Sequence, residues 1–434
     1  MKKILTAAVI FILAVNVSAA QEWLTLSRAM EETLKNNFFI NIARNDSAVA
    51  RNDNSWGNAG ALPAVDVSAG FNTAVNNTEQ RFNNGNVINQ DGASTDNLNA
   101  TVRLNWTLFD GMRMFAAKSR LEANEEMFSF RLKAEIENKL SELITAYFNV
   151  VRLQQSLKVI EETIRINDER VEIAKVRFET GASSKLDFLQ AKVDRDARMS
   201  EMLRLRNELQ NAVATVNLLS GFTEFREFYA SDSITFQYQP QLNEIYSSFP
   251  SRNAEMLTAG SNVRIREKLV DEYRAWRYPW LTANVGYSYS RNENEAGFSL
   301  FSQNQGMLAG LTLSWNLFNG FNTGRQIKNA LIQKSSASLM LDATRSAISQ
   351  QIAVAYRKYE ADKAIVILEE SGLSFARENA DISLEAYRLG SISGIQLREA
   401  QISYESALNR LIDARYQAKL SETLLMKLNG DLVR

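Results

Sequence analysis

The side chains best placed for chemistry in this chain are carboxylates, because its 434 residues include no histidine and no cysteine. Disulfides, Cys/His zinc centres, thiol nucleophiles and every imidazole-dependent triad are thereby excluded. Paired-acid chemistry and cation binding remain, since 50 residues are Asp or Glu. Nearly all of them fall on the polar faces of long helical stretches with no glycine-rich pocket nearby, which argues against a paired-carboxylate hydrolase and against an enzyme in general. Two pairs, Asp187 with Gln190 and Gln396 with Glu399, are spaced by three and so share a helical face. The 49 Lys and Arg against 50 acids give a net charge of -1, or -3 without Lys2 and Lys3, and no basic block occurs. Nucleic acid is therefore not an expected partner, and no cofactor is implied.

The elements that must position these residues are legible in order. Residues 1–20 begin with Lys2 and Lys3, run apolar from Ile4 to Val17 and end Ser18-Ala19-Ala20. This predicts a secretory signal for the Sec route, too short to span a membrane, with the mature chain starting at Gln21. No cysteine closes the run, so no lipid anchor is expected there.

After that leader the chain is written twice. Arg103-Leu104-Asn105-Trp106-Thr107-Leu108-Phe109-Asp110-Gly111 recurs as Thr312-Leu313-Ser314-Trp315-Asn316-Leu317-Phe318-Asn319-Gly320, an offset of 209. Ala146-Tyr147 and Ala355-Tyr356 keep that offset. So do Phe178-x-x-Gly181 with Tyr387-x-x-Gly390, and Leu219-Ser220-Gly221 with Leu428-Asn429-Gly430. Pro63 and Gly70 match Pro279 and Gly286 at 216 instead, so the segment between proline and tryptophan varies in length as a surface loop does. A repeat this long is half of a molecule rather than a solenoid unit. Repeat 1 is assigned to residues 21–221 and repeat 2 to 242–434, with a linker at 222–241 in which Ser233 to Tyr238 could form a short strand.

Strict apolar/polar alternation predicts four strands, about 64–76, 97–109, 281–291 and 306–318. The Asn-rich stretch 76–97 and the shorter 291–305 are expected to be loops. Each alternating run is roughly ten residues, enough for a tilted strand to cross a bilayer. Trp106, Trp315, Tyr287 and Tyr289 stand near strand ends, where interfacial aromatics belong. No second sheet is available to cover the apolar faces. Open sheet edges are forbidden in lipid, and closed barrels need about eight or more strands, so two or three chains must combine.

Long helices are predicted at 111–180 and 324–389, each near 100 Å at 1.5 Å per residue. Half-length helices are expected at about Ser27 to Gly60, Ser184 to Leu219, Leu242 to Trp276 and Gly394 to Asn429. Two half-length helices end to end match one long one, so each repeat can form a hairpin beside a stacked pair. Helices alone would equally fit a non-conducting coiled-coil rod or adhesin of the envelope. Gly181 and Gly390 should end the long helices by taking left-handed caps. Pro63 and Pro279 should lead from helix into strand, while Asp110 or Asn319 caps the long helix, Gly111 and Gly320 permit the turn, and Phe109 and Phe318 fill the junction.

This order of elements, the Leu-Phe-Asx-Gly junction and the Tyr/Phe-x-x-Gly hairpin resemble the TolC family of outer-membrane efflux ducts over everything after the leader. The resemblance selects three chains. It implies a mixed, mainly α fold with β: a homotrimeric twelve-stranded transmembrane β-barrel, four strands per protomer, continued by a periplasmic α-helical coiled-coil barrel. It places the linker in an equatorial belt and the stretches 76–97 and 291–305 outside the cell. It further implies the outer membrane of a Gram-negative bacterium, with a large periplasmic extension. The implied function is an exit duct of a tripartite efflux or type I secretion system, passing small molecules or proteins. Expected partners are outer-membrane lipid, a periplasmic adaptor (membrane fusion protein) and an inner-membrane transporter of the resistance-nodulation-division, ABC or major facilitator type, which chooses the cargo. Phe178, Gly181, Ala182, Ser183, Ser184, Tyr387, Gly390, Ser391, Ile392 and Ser393 would form the periplasmic tip where the adaptor docks. Glu399 and Gln396, with Asp187 and Gln190, occupy the positions of a lumenal gate ring. Ile392 stands where some relatives carry an arginine that locks the closed state, so that lock is not carried over.

Overall fold

The computed structural model describes residues 22–433, and the leader expected at residues 1–20 lies outside them. In chain order the elements are β1 (Glu22–Leu24), α1 (Leu26–Asn36), α2 (Phe38–Asp53), β2 (Ala64–Arg81), β3 (Val87–Phe109), α3 (Arg113–Glu179) and α4 (Lys185–Leu219). Then follow β4 (Phe228–Ala230), α5 (Leu242–Arg252), α6 (Ala254–Ala275), β5 (Trp280–Asn294), β6 (Phe301–Ser314), α7 (Asn322–Arg388) and α8 (Gly394–Asn429). They belong to two units, one of Asp46–Ser129 with Thr258–Asp342, the other of the remaining three stretches.

The first unit holds a four-stranded antiparallel sheet in the order β2-β3-β5-β6. Its register lines up the alternation of all four strands: Val67 pairs with Val102, Val102 with Tyr287 and Tyr287 with Met307. Around these rows one face is therefore apolar, giving way to Thr73, Asp96, Arg291 and Gln305 farther along the strands, and the other carries mostly Asn, Ser, Thr and Gly. Among the described residues nothing covers the apolar face, where Val67 is 75% exposed and Met307 73%. Strands β2 and β6 are its unpaired edges.

Three expectations about this sheet are corrected, the first being the loop at 291–305: Arg291 to Asn294 continue β5 and Phe301 to Gln305 open β6, paired to Glu293↔Phe301. The Asn-rich 76–97 stretch is not a loop: β2 and β3 stay paired to Arg81↔Val87, interrupted by a bulge beside Asn77, and reverse through a turn at Phe82–Asn86 with Gly85 at φ 89°. Alternation vanishes there because both faces are polar, which leaves a strand without its periodic signature. At the other end, β6 stops at Ser314, so Trp315 to Phe318 lie beyond the strand.

The strand–helix junctions repeat as the sequence does. Pro63 and Pro279 immediately precede β2 and β5. Trp106 donates its indole N–H to Ala61 O at 3.0 Å, and Trp315 donates to Arg277 O at 3.1 Å, each two residues before its proline. Asp110 accepts the Met114 N–H at 3.2 Å and Asn319 the Thr323 N–H at 3.3 Å, capping α3 and α7. Gly111 and Gly320 are left-handed, as are the following Met112 and Phe321. Phe109 and Phe318 do not fill the junctions among the described residues: a bulge puts Phe109 opposite Leu281 on the apolar face, and Phe318, 71% exposed, meets the Phe321 ring edge-on.

The second unit is helical. Its core gathers Leu140, Leu143, Tyr147 and Val150 of α3 against Val213 and Val216 of α4, with Phe228 and Ile234 from the linker. Here β1 pairs in parallel with β4, and the short strand lies at Phe228–Ala230 rather than at Ser233 to Tyr238. Buried Tyr147 donates to Leu24 O at 2.7 Å and Asp232 at 2.6 Å. Burial and the Asp232 carboxylate push its hydroxyl well above the usual tyrosine range, so it remains a donor. Gln237 and Tyr238 give their backbone N–H groups to the buried Glu422 carboxylate at 2.7 and 2.8 Å.

Two helices expected as single pieces are broken. Asn37 separates α1 from α2, and Asn253 separates α5 from α6. Each side chain caps the next helix, Asn37 Oδ1 accepting from Phe39 and Ile40, Asn253 Oδ1 from Glu255 and Met256. Each amide also ties down a carbonyl at the C-terminal end of a repeat's final helix, Leu219 O at 2.8 Å and Leu428 O at 3.0 Å. Gly221 and Gly430 sit so tightly against Asn36 O and Arg252 O that a Cβ would lie 2.5 Å away. Among the described residues no helix is long and apolar enough to cross a membrane.

Candidate functional site

Helices of 67 residues concentrate their chemistry where they reverse. At the first tip, Gly181 follows the end of α3 at φ 74°, its N–H donating to Phe178 O at 3.1 Å and Ala182 N–H to Arg177 O at 2.7 Å. The second copies it: Gly390 has φ 75°, donating to Tyr387 O at 3.0 Å, with Ser391 N–H on Ala386 O at 2.8 Å. Only a residue free of a Cβ takes this cap without strain. Ser184 and Ser393 then start α4 and α8 as N-caps.

The two tips lock together through Asp187. Tyr387, 1% exposed, donates its hydroxyl to Asp187 Oδ2 at 3.3 Å, and Ser183 donates to the same oxygen at 3.2 Å. Burial, reinforced by this carboxylate, holds the Tyr387 hydroxyl above the ordinary tyrosine range, so the bond keeps its proton. The buried Gly394 offers the space: a Cβ there would collide with Asp187 Oδ1. Arg177 lies 5.1 Å over the Tyr387 ring and donates to its carbonyl at 3.4 Å, while Arg388 pairs with Glu169. Phe178 stacks on Phe188 at 6.4 Å.

The residues expected at the tip are thus brought together: Ala182, Ser184, Ser391 and Ser393 are exposed, Ser183 and Ile392 half-buried. Those expected in a gate ring diverge. Asp187 is engaged in the tip contact, Gln396 closes a capping box with Ser393, and Gln190 donates to Asp194 at 3.0 Å. Glu399 is exposed. Sequence reasoning missed the exposed apolar side chains beside the turns, Leu186 at 74%, Leu389 at 74% and Ile395 at 67%. It also missed two reciprocal ion pairs between the hairpins, Arg398–Asp194 at 3.2 Å and Arg198–Glu405 at 3.2 Å. No local pattern marks them, because the partners stand some 200 positions apart on unremarkable polar helix faces.

Two tandem sheet–helix repeats with hairpin tips match a known group. The sequence profile of the family described as outer membrane efflux protein fits residues 29–221 and 245–431. The chain belongs to that family. Among relatives, outer membrane efflux protein BepC of Brucella suis biovar 1 (strain 1330) is 23% identical over 439 residues, covering 99% of this chain and 90% of its own length. Outer membrane protein TolC of Escherichia coli (strain K12) is 21% identical over 351 residues, covering 79% and 71%. In fold, the chain resembles the outer membrane protein VceC of Vibrio cholerae with a TM-score of 0.74 at 18% identity, covering 93% of this chain and 96% of that one. As an outer membrane efflux protein, the chain is a component of the Gram-negative outer membrane. The profile thus falls on two separate stretches of the chain, 29–221 and 245–431.

Proposed function

We propose that three copies of this chain form a passive exit duct of a tripartite efflux or type I secretion assembly, without chemistry of its own. The observation that carries the reading is the sheet: four strands, one uncovered apolar face, one polar face and two free edges. Lipid accepts the apolar face and rejects the edges, so β6 of one copy pairs with β2 of the next until twelve strands close. The polar face lines the lumen, the β2–β3 extension reaches outside the cell, and the helices continue as a periplasmic tube with the linker in an equatorial belt. A leader at residues 1–20 delivers the chain through the Sec route.

The tips take the adaptor. Ala182, Ser183, Ser184, Ser391, Ile392 and Ser393 allow close approach of helical hairpins, and Leu186, Leu389 and Ile395 supply apolar contact area. The adaptor links the duct to an inner-membrane transporter of the resistance-nodulation-division, ABC or major facilitator type, and that pump selects the cargo. Within the gate ring Glu399 is the exposed acid, repeated three times by symmetry, while Asp187 holds the tips together. The test is single-channel recording in planar bilayers. The trimer should conduct, multivalent cations should block the current, and Glu399→Gln should weaken that blockade. Absence of conductance would return the chain to the rod or adhesin reading; unchanged blockade would remove Glu399 from the ring.

A further inference from the structure

Nine residues before the end of α3, about 14 Å from the tip at 1.5 Å per residue, a cavity of about 170 Å³ is walled by α3, α4 and α8. Its charged lining is Arg170, Asp194, Arg198, Arg398 and Glu405, with Gln401 beside them. Three guanidiniums thus meet two carboxylates. Both acids are already engaged: Asp194 accepts from Arg170 at 2.9 Å, Arg398 at 3.2 Å and Gln190 at 3.0 Å, and Glu405 accepts from Arg198 at 3.2 Å. The buried side-chain atoms of this wall left without a partner are Arg170 Nε and Gln401 Nε2, and both are donors. Arg170 is only 2% exposed, so bulk water does not serve it. Buried donors left unmatched are costly, and buried guanidinium donors most of all. What the cavity lacks is acceptors, and its excess of positive charge points the same way.

We propose that this cavity binds a small oxyanion of sulfate or phosphate size, held among the arginines of both repeats. Tetrahedral oxygens offer several acceptors at once, which matches forked guanidinium donors better than a single halide does. The bound anion would balance the surplus charge and brace α8 against α3 and α4 just above the tip. The site is independent of conduction, since it needs only the folded helical hairpins.

The test is calorimetric titration of the purified mature protein in detergent with sodium sulfate, against sodium chloride at matched ionic strength. Sulfate is chosen because it does not titrate near neutrality. Saturable uptake of one sulfate per chain is expected, with none for chloride. Gln401→Glu places a carboxylate where the anion sits and should weaken sulfate binding about tenfold or more. Should that variant fail to assemble, Arg398→Gln, at a half-exposed position, should show the same loss. No saturable sulfate uptake by the unmodified protein, or equal affinity in either assembled variant, would overturn the site.

Discussion

Single residues at the tips carry closely defined loads. Gly394 leaves room for Asp187, so Gly394→Ala should displace that carboxylate from the Tyr387 hydroxyl and lower the thermal midpoint of the helical unit. Removing one hydrogen bond to a charged group costs about 1.5–3 kcal/mol, which sets the scale; a midpoint equal to that of the unmodified protein would show that the tip tolerates the methyl group. Glu405 gives a pH signature. Burial raises its carboxyl above the ordinary 4.5, with Arg198 pulling the other way. An acid raised in the fold binds its proton more tightly there than in the unfolded chain, so its ionised form costs stability above the folded value. That cost fades as pH falls toward 4.5. Between about pH 7 and about pH 5 the unmodified protein should therefore gain thermal midpoint relative to Glu405→Gln. A constant difference between the two would mean that Glu405 titrates as a solvated acid.

Elements show where two equivalent sequences meet different surroundings. Gly111 and Gly320 are repeat partners with φ 69° and 67°, yet a Cβ on Gly111 would lie 2.5 Å from Ala275 O while one on Gly320 would meet only an Asn322 side chain at 3.8 Å. Gly320→Ala should cost the left-handed penalty alone, about 1–2 kcal/mol, and Gly111→Ala distinctly more, as read by the denaturation midpoints of the two variants. The helix breaks make a similar case. Asn253→Ala removes a cap and the tie to Leu428 O together and should destabilise by about 1–2 kcal/mol, with Asn37→Ala close behind; a midpoint unmoved in both would contradict the clamp. Much of this architecture was legible in the sequence: the strands from period-two alternation, α3, α4, α7 and α8 from proline-free runs between left-handed glycines. The breaks at Asn37 and Asn253 were not, because an asparagine inside a helical pattern reads as a tolerated polar residue until its capping partners are seen. The shared 216 offset of the two asparagines was the available signal. Likewise Asn84-Gly85, a hairpin dipeptide, marked the turn inside the polar extension that alternation could not reveal. The tip turns were readable from glycine spacing, whereas the Asp187 contact and the arginine cavity depend on packing between repeats and leave no local trace.

At the scale of the whole molecule, the sheet sets the requirement. A four-stranded sheet with an apolar face this exposed does not persist alone in water, and with two free edges it does not persist alone in lipid. Symmetric closure by copies of the same chain resolves both, since it buries every edge and sends the apolar face outward to the membrane. The most direct measurement is the mass of the folded protein released intact from outer membranes, determined by native mass spectrometry. Three chains per particle are expected. A particle of one chain that stays folded, whether in lipid or in water, would contradict the closed barrel.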